Sequence, residues 1–279
     1  MVKTLLNAKK VVYTKIGFYN KPDWHSIFVP ENEENYKKTI MDPLVNFINS
    51  FSISGIVIYF RYIHLDKTVS PKDYTSFVNR LKQEVKHKIK VGLVIHGAFY
   101  QQYSNTSSFD FTITNEALDM YYIIFTYINF CNSVTKKCGV APIKSPNPNI
   151  TSMEIITSAV TNSTMDKTKI YAVLQCTVRI TRGQPLVLKK IITTYSTYCS
   201  INTTNSSLWC ASPSQLSYDQ AAYSKKNFKG IYLEVLDGDD FNSSCGCGQF
   251  PVTKAYISGW KSTKLTPCSR FGEIEKTNT

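Results

Sequence analysis

Short apolar segments alternate along this chain with longer amphipathic segments, and this alternation restricts the fold more than any other feature of the sequence. Strands joined by helices pair in parallel, because each helix returns the chain to the edge of the sheet where the strand began. We predict strands near Val11–Phe18, Gly55–Arg61, Lys90–Ala98, Tyr121–Tyr127, Lys169–Val178 and Gly230–Leu236. We predict helices near Val2–Lys10, Glu33–Ser50, Pro71–Lys88, Met153–Thr161 and Ser217–Lys226, with a kink or break at Pro43. The sequence therefore indicates an α/β fold with a parallel sheet.

The length and composition fit one α/β domain without a membrane span. A chain of 279 residues with 43% hydrophobic residues is long and apolar enough to bury one large core. It has no run of about 18 apolar residues, so we predict no transmembrane helix. The first ten residues lack the long apolar stretch of a signal peptide. We therefore predict a single domain over residues 1–279.

Eight cysteines and several N-x-S/T sequons nevertheless indicate an oxidising, secreted environment. Cys131/Cys138 and Cys199/Cys210 close short loops and are candidate pairs, although sequence alone leaves the connectivity open. A zinc site at Cys245 and Cys247 is disfavoured, because no second ligand pair stands at finger-like spacing. The candidate disulfide cysteines are Cys131, Cys138, Cys199, Cys210, Cys245, Cys247 and Cys268, and the candidate glycosylation sites are Asn105, Asn149, Asn162, Asn202, Asn205 and Asn242.

The formal net charge of +12 raises the question of an anionic partner. The lysines are spread along the chain, and no RNA-recognition or helix-turn-helix pattern accompanies them. We therefore predict that they lie on solvated helix and loop faces, and we expect no nucleic-acid partner. The sequence has no phosphate-binding or dinucleotide-binding fingerprint and no histidines at metal-ligand spacing, so we expect no cofactor and no metal.

The segment Ser54–Arg61 (S-G-I-V-I-Y-F-R) has the pattern of a buried strand. It resembles the catalytic strand of glycoside hydrolase family 18, the chitinases and their relatives, whose motif is D-G-x-D-x-D-x-E. The glycine matches at Gly55. By this resemblance Ser54, Val57 and Tyr59 stand in place of the three aspartates, and Arg61 stands in place of the acid glutamate; these positions form a degenerate motif.

Four further segments extend this resemblance along the chain in the family's order. Phe228–Phe241 resembles the eighth strand, F-G-G-x-x-x-W-x-x-D-x-D-D-F, and Cys245–Pro251 resembles the following C-G-x-G-x-[FY]-P run. Phe125–Ile128 resembles the M-T-Y-D of the sixth strand, and Lys15–Asn20 resembles the S-I-G-G-W-N of the third. The resemblance implies a TIM-type (β/α)8 barrel of which this chain carries strands three to eight and lacks the first two βα units. It also implies that the family's insertion after strand seven is reduced to residues 181–216.

The resemblance implies a site without catalytic carboxylates. In the family the glutamate protonates the leaving oxygen, which requires a group that can release a proton near the working pH. Arg61 cannot do this, because a guanidinium keeps its proton up to a pH of about 12. Ile128 stands where the sixth strand carries an aspartate, and Glu234 stands where a tryptophan floors the sugar site. We hypothesise an Arg61–Glu234 ion pair, and Tyr127, Glu234 and Arg61 are our candidate sugar-binding residues.

The function implied by the resemblance is that of a secreted, catalytically inactive chitinase-like protein. It would bind chitin or other N-acetylglucosamine-containing glycans, or act through an unidentified protein partner. Two alternatives stay open. The chain is a decayed copy or fragment without binding activity, or it is a hydrolase with relocated carboxylates such as Glu234 and Asp237.

Overall fold

The computed structural model describes residues 10–17, 21–59, 69–98, 110–126, 128–180, 192–201 and 209–272. The strands are β1 (Tyr13–Gly17), β2 (Gly55–Tyr59), β3 (Lys90–His96), β4 (Met120–Ile124), β5 (Ile170–Gln175), β6 (Val178–Ile180), β7 (Ile192–Thr193), β8 (Trp209–Cys210) and β9 (Gly230–Glu234). The helices are α1 (Lys21–Phe28), α2 (Glu33–Tyr36), α3 (Asp42–Ser50), α4 (Pro71–Glu84), α5 (Phe111–Ala117), α6 (Ser133–Cys138), α7 (Met153–Thr161), α8 (Tyr195–Ser200), α9 (Ser214–Asn227) and α10 (Pro251–Lys261).

Six strands form one sheet in the order β1-β2-β3-β4-β5-β9. The order follows the chain, and β1 with β2, β2 with β3, and β5 with β9 pair in parallel. This is the topology of a partial (β/α)8 barrel, and it confirms the predicted α/β fold. Each of the six predicted strands is present, although the one predicted over Lys169–Val178 ends at Gln175, and Val178 begins a strand of a second sheet.

The described residues fall into two compact units. The first contains those within 1–95, 102–122 and 162–170, and the second contains those within 96–101, 123–161 and 171–279. In the first unit, α4 begins at a capping box in which Ser70 and Asp73 each bond the backbone of the other. Pro71 occupies the first turn, as predicted, because its missing N–H is not needed there. This cap fixes the start of the helix that follows β2.

The helix predicted over Glu33–Ser50 is present but irregular. A π-helical segment, Lys37–Met41, separates α2 from α3, and Pro43 lies in the first turn of α3. A proline inside a helix lacks the N–H donor and collides with the carbonyl four residues earlier. The wider π turn relieves this conflict, so the predicted disturbance at Pro43 takes the form of a π segment and not a break.

In the second unit, β6, β7 and β8 form a small antiparallel sheet in the order β7-β6-β8. This sheet and α8 lie after β5, where the resemblance places the reduced insertion. The Tyr195 hydroxyl donates to the carbonyl of Ser212 and accepts from its N–H, at 3.2 and 2.9 Å, which ties α8 to the segment after β8. The Ser196 hydroxyl donates to the Asp240 carboxylate at 2.8 Å, so the insertion is also joined to the segment after β9.

The disulfide pairs proposed from loop length are wrong. The structure joins Cys131 to Cys210, Cys199 to Cys245 and Cys247 to Cys268, and it leaves Cys138 and Cys176 as thiols. Residues Ser133–Cys138 form a helix, and the Cys138 thiol lies 3.4 Å from the Val134 carbonyl of that helix, away from Cys131. Tertiary pairing between distant segments therefore determines the bonds, not proximity in the sequence.

The two free thiols differ in accessibility, so we predict that a thiol reagent distinguishes them. Cys138 is half-buried, whereas Cys176 is fully buried and burial raises the pKa of its thiol to about 12. A protonated, buried thiol is a poor nucleophile. We expect an aromatic disulfide reagent to titrate one thiol in the native protein at neutral pH and two in denaturant. The Cys138→Ser variant should show none before unfolding; a reactive thiol in that variant would contradict the buried position of Cys176.

Candidate functional site

The start of β2, which corresponds to the catalytic strand of the resemblance, is built into the sheet of the first unit. The N–H of Ser54 donates to the carbonyl of Val12 at 2.9 Å, and the Ser54 hydroxyl accepts from the N–H of Val12 at 3.3 Å. Tyr13 lies opposite Gly55 in the register, and its ring packs where a side chain at Gly55 would point. Ser54 and Gly55 therefore stabilise the pairing of β1 with β2.

The next positions of β2 give an apolar and aromatic surface. Gly55, Val57 and Tyr59 share one face of the strand, because side chains alternate between the two faces. Val57 is buried and Tyr59 is half-buried. The Lys15 ammonium lies 4.3 Å from the centroid of the Tyr59 ring, within cation–π distance. The described part of this face carries no carboxylate; Arg61 lies outside the described residues.

In the second unit, the carboxyl ends of β5 and β9 bring Gln175 beside Glu234 in parallel register. Glu234 is half-buried and shares a face of β9 with Tyr232, whose side chain is 47% exposed. Burial and the nearby Glu234 carboxylate both raise the pKa of Tyr232. Ile128 is buried in the core. Tyr127 and Arg61 lie outside the described residues, so the Arg61–Glu234 ion pair stays a prediction.

Two carboxylates after β9 are structural. Asp239 is fully buried and accepts hydrogen bonds from the N–H groups of Val252 and Thr253 at the start of α10, at 3.2 and 2.8 Å. Asp240, also fully buried, accepts from the N–H groups of Ser244 and Cys245. These bonds cap the helix and fold the turn. The carboxylate oxygens of Asp239 and Asp240 are therefore already hydrogen-bonded to backbone N–H groups, whereas Asp237 is exposed to solvent.

A small pocket lies between the carboxyl ends of β4 and β5 and the helices α9 and α10. The Gln220 amide donates to the carbonyl of Ala141 at 2.6 Å, and the Tyr256 hydroxyl lies 3.0 Å from the carbonyl of Gln175. The Thr126 hydroxyl is buried at this pocket and has no hydrogen-bond partner among the residues that the structure describes. The volume open to the centre of a water molecule is about 20 Å³, enough for water but not for a sugar.

Two further properties concern only the described part of the chain. No group of three or more His, Cys, Asp or Glu residues there is placed to hold a metal ion. No helix among these residues is long and apolar enough to cross a membrane.

The sequence matches none of the protein-family models and none of the curated proteins with which it was compared. Solved structures do match it, and they agree with the topology described above. The chain has the chitinase-like fold of glycoside hydrolase family 18. This confirms, at the level of the fold, the resemblance that Ser54–Arg61 and Phe228–Phe241 first indicated.

Two of the matching structures show the range of proteins with this fold. One is a mutant of catalytic domain 2 of the Group II chitinase of Ostrinia furnacalis, in complex with an N-acetylglucosamine oligomer; its TM-score is 0.74 and its identity 14%, and the match covers 96% of this chain and 82% of that one. Another is human YKL-39, described as a pseudo-chitinase with retained chitooligosaccharide binding properties, with a TM-score of 0.66, 12% identity and coverage of 92% and 82%. The fold therefore occurs both in chitinases and in a protein described as a pseudo-chitinase, so the fold alone does not distinguish the two classes.

Proposed function

We propose that this protein is an inactive chitinase-like protein that binds N-acetylglucosamine-containing glycans without cleaving them. The observation that carries the proposal is the composition of residues 54–61, which contain no aspartate and no glutamate. Human YKL-39 supports it as a structural neighbour that binds chitooligosaccharides and is described as a pseudo-chitinase. The fold is compatible with sugar binding in the absence of hydrolysis.

Loss of the general acid at the position of Arg61 should lower the rate of hydrolysis greatly. General acid catalysis contributes about 10²–10⁴ to a rate, and a guanidinium at Arg61 cannot supply it. Val57 and Tyr59 have no carboxylate to orient and stabilise a reacting acetamide group. Since Asp239 and Asp240 are fully buried and bonded to backbone N–H groups, they are not available to replace these groups. The remaining alternative, relocation to Glu234 and Asp237, is open to a direct test.

The surfaces left for sugar binding are aromatic and polar. Tyr59 in the first unit and Tyr232 in the second each show a partly exposed ring, and sugar rings pack their apolar faces against such surfaces. Tyr127, Arg61 and Glu234 remain our candidate polar contacts. Because Glu234 replaces the tryptophan of the family, we expect weaker binding than in an active chitinase.

We test the absence of hydrolysis by incubating the protein with N-acetylchitopentaose and separating the products by chromatography. We expect no shorter oligomers above the rate without protein, while an active family-18 chitinase assayed in parallel releases them. If cleavage occurs and the Glu234→Gln or Asp237→Asn variant abolishes it, the relocated-carboxylate alternative is correct. Cleavage unaffected by either substitution would also overturn the proposal.

The same proposal places the protein in an oxidising, secreted environment. Three disulfides support this, because such bonds persist outside the reducing cytosol. The sequon asparagines Asn149, Asn162 and Asn242 are exposed, as glycosylation requires. The sequons at Asn105, Asn202 and Asn205 lie outside the described residues.

A further inference from the structure

The small pocket between the ends of β4 and β5 and the helices α9 and α10 is bordered by a buried hydroxyl group. Thr126, which follows β4, is only 3% exposed, and its hydroxyl has no hydrogen-bond partner within the described part of the chain. The Thr126 carbonyl, in contrast, accepts a hydrogen bond from the Arg179 guanidinium at 2.7 Å. A buried hydroxyl without a partner costs free energy, because folding removes its hydrogen bonds to water. We call this cavity the Thr126 pocket.

Other polar groups that border the Thr126 pocket can form further hydrogen bonds. The Gln220 amide nitrogen carries two N–H groups, and the Ala141 carbonyl at 2.6 Å accepts one of them. The Tyr256 hydroxyl has one proton, but two acceptors lie within reach of it, the Gln175 carbonyl at 3.0 Å and the Gln220 Oε1 atom at 3.2 Å. The pocket therefore offers a ligand a donor from Gln220 and the acceptor that Tyr256 does not use.

The size and polarity of the Thr126 pocket determine which ligand fits. The volume open to the centre of a water molecule is about 20 Å³, which exceeds the ~10–15 Å³ that one water molecule needs and leaves little room for a second. None of the described residues that line the pocket carries a charge, so an ion would lose its hydration without compensation. An apolar ligand would leave the Thr126 hydroxyl unpaired. A single neutral molecule that both donates and accepts hydrogen bonds fits best.

We propose that the Thr126 pocket binds one ordered water molecule, which bonds the Thr126 hydroxyl and the Gln220 amide. Buried water molecules make about three hydrogen bonds to protein groups that would otherwise be unpaired, and the acceptor beside Tyr256 supplies the third. The water links the end of β4 to α9, at the residue whose carbonyl Arg179 already holds. Since the pocket is too small for a sugar, this inference does not depend on the proposed glycan binding.

A high-resolution crystal structure of the full chain tests this proposal directly. We expect an ordered water molecule within hydrogen-bond distance of both Thr126 Oγ1 and Gln220 Nε2. A pocket without density, in a crystal where other buried waters are ordered, would overturn the proposal. A direct hydrogen bond from the Thr126 hydroxyl to another protein group would overturn it as well.

Thermal melting of Thr126→Val adds a test by sign, because valine has nearly the shape of threonine without its hydroxyl. Removing a buried hydroxyl that bonds a water is destabilising, whereas removing an unpaired one is neutral or stabilising. We expect the melting temperature to fall by about 2–4 °C; an unchanged or higher value would contradict the water site. Thr126→Ser is the control, because it keeps the hydroxyl, and its crystal structure should retain the water that Thr126→Val loses. If Thr126→Val does not fold, the structures of the unmodified protein and of Thr126→Ser decide.

Discussion

Replacing Cys131 and Cys210 together by alanine is expected to lower the free energy of unfolding by about 4.5 kcal/mol. The bond between them joins residues 79 positions apart, so its loss releases the longest disulfide-closed loop in the chain. A cross-link restricts the unfolded chain more when the loop is longer. Both sulfurs are also buried with Val140, so the bond closes a small core beneath β8. Urea unfolding measures the effect.

The matched control is the pair Cys247→Ala and Cys268→Ala, whose bond spans 21 positions. The same loop-length relation predicts a loss of about 3.3 kcal/mol for this pair. The order of the two effects is the informative result. A larger loss for the Cys247 and Cys268 pair would contradict the assigned connectivity, as would any loss below the unfolding error for the Cys131 and Cys210 pair.

The second large effect is expected at Gly55, where residues of both β1 and β3 lie close to β2. A Cβ atom at this position would lie 2.2 Å from the carbonyl oxygen of Lys90 and 2.6 Å from the Tyr13 ring. The carbonyl is part of the β3 backbone and cannot move without disturbing the sheet. We therefore expect Gly55→Ala to cost about 3 kcal/mol, the upper part of the usual range for overpacking.

Gly17→Ala provides the comparison in the same pair of strands. Its Cβ would meet the Tyr59 side chain at 3.2 Å and the Tyr59 carbonyl oxygen at 3.3 Å, contacts that a shift of a few tenths of an ångström relieves. We expect a change in the free energy of unfolding below about 1 kcal/mol. Similar losses for the two variants in urea unfolding would contradict the close packing of Tyr13 over Gly55.

The sequence predicts the strands of this fold better than its helices. Apolar runs such as those around Gly55 and Gly230 identify the parallel strands directly, because strands buried on both faces are apolar throughout. The short helices Phe111–Ala117 and Ser133–Cys138 have too few turns to show a clear periodicity. The side chain that bonds the N–H groups at the start of α10 is Asp239, which is 12 positions before Pro251, so the local signal is limited to Pro251 in the first turn, and from the sequence we predict no helix there.

The candidate site was predictable only through the resemblance to the family. Composition and spacing identify Ser54–Arg61 as a strand, but nothing in them indicates that carboxylates belong there. The disulfides depend on contacts between distant segments, such as the contact of Cys131 with Cys210. A single sequence does not reveal such contacts, because the loops that create them have no regular pattern.

The central claim is binding without cleavage, and calorimetric titration with N-acetylchitopentaose, followed by analysis of the mixture for products, tests it most directly. We expect saturable heat with no shorter oligomers, and about fivefold weaker binding for Tyr232→Ala. The control variant Ile257→Ala also removes an exposed apolar side chain, but from α10, and it should bind as the unmodified protein does. The absence of heat at high ligand concentration, or the appearance of cleaved products, would contradict the account.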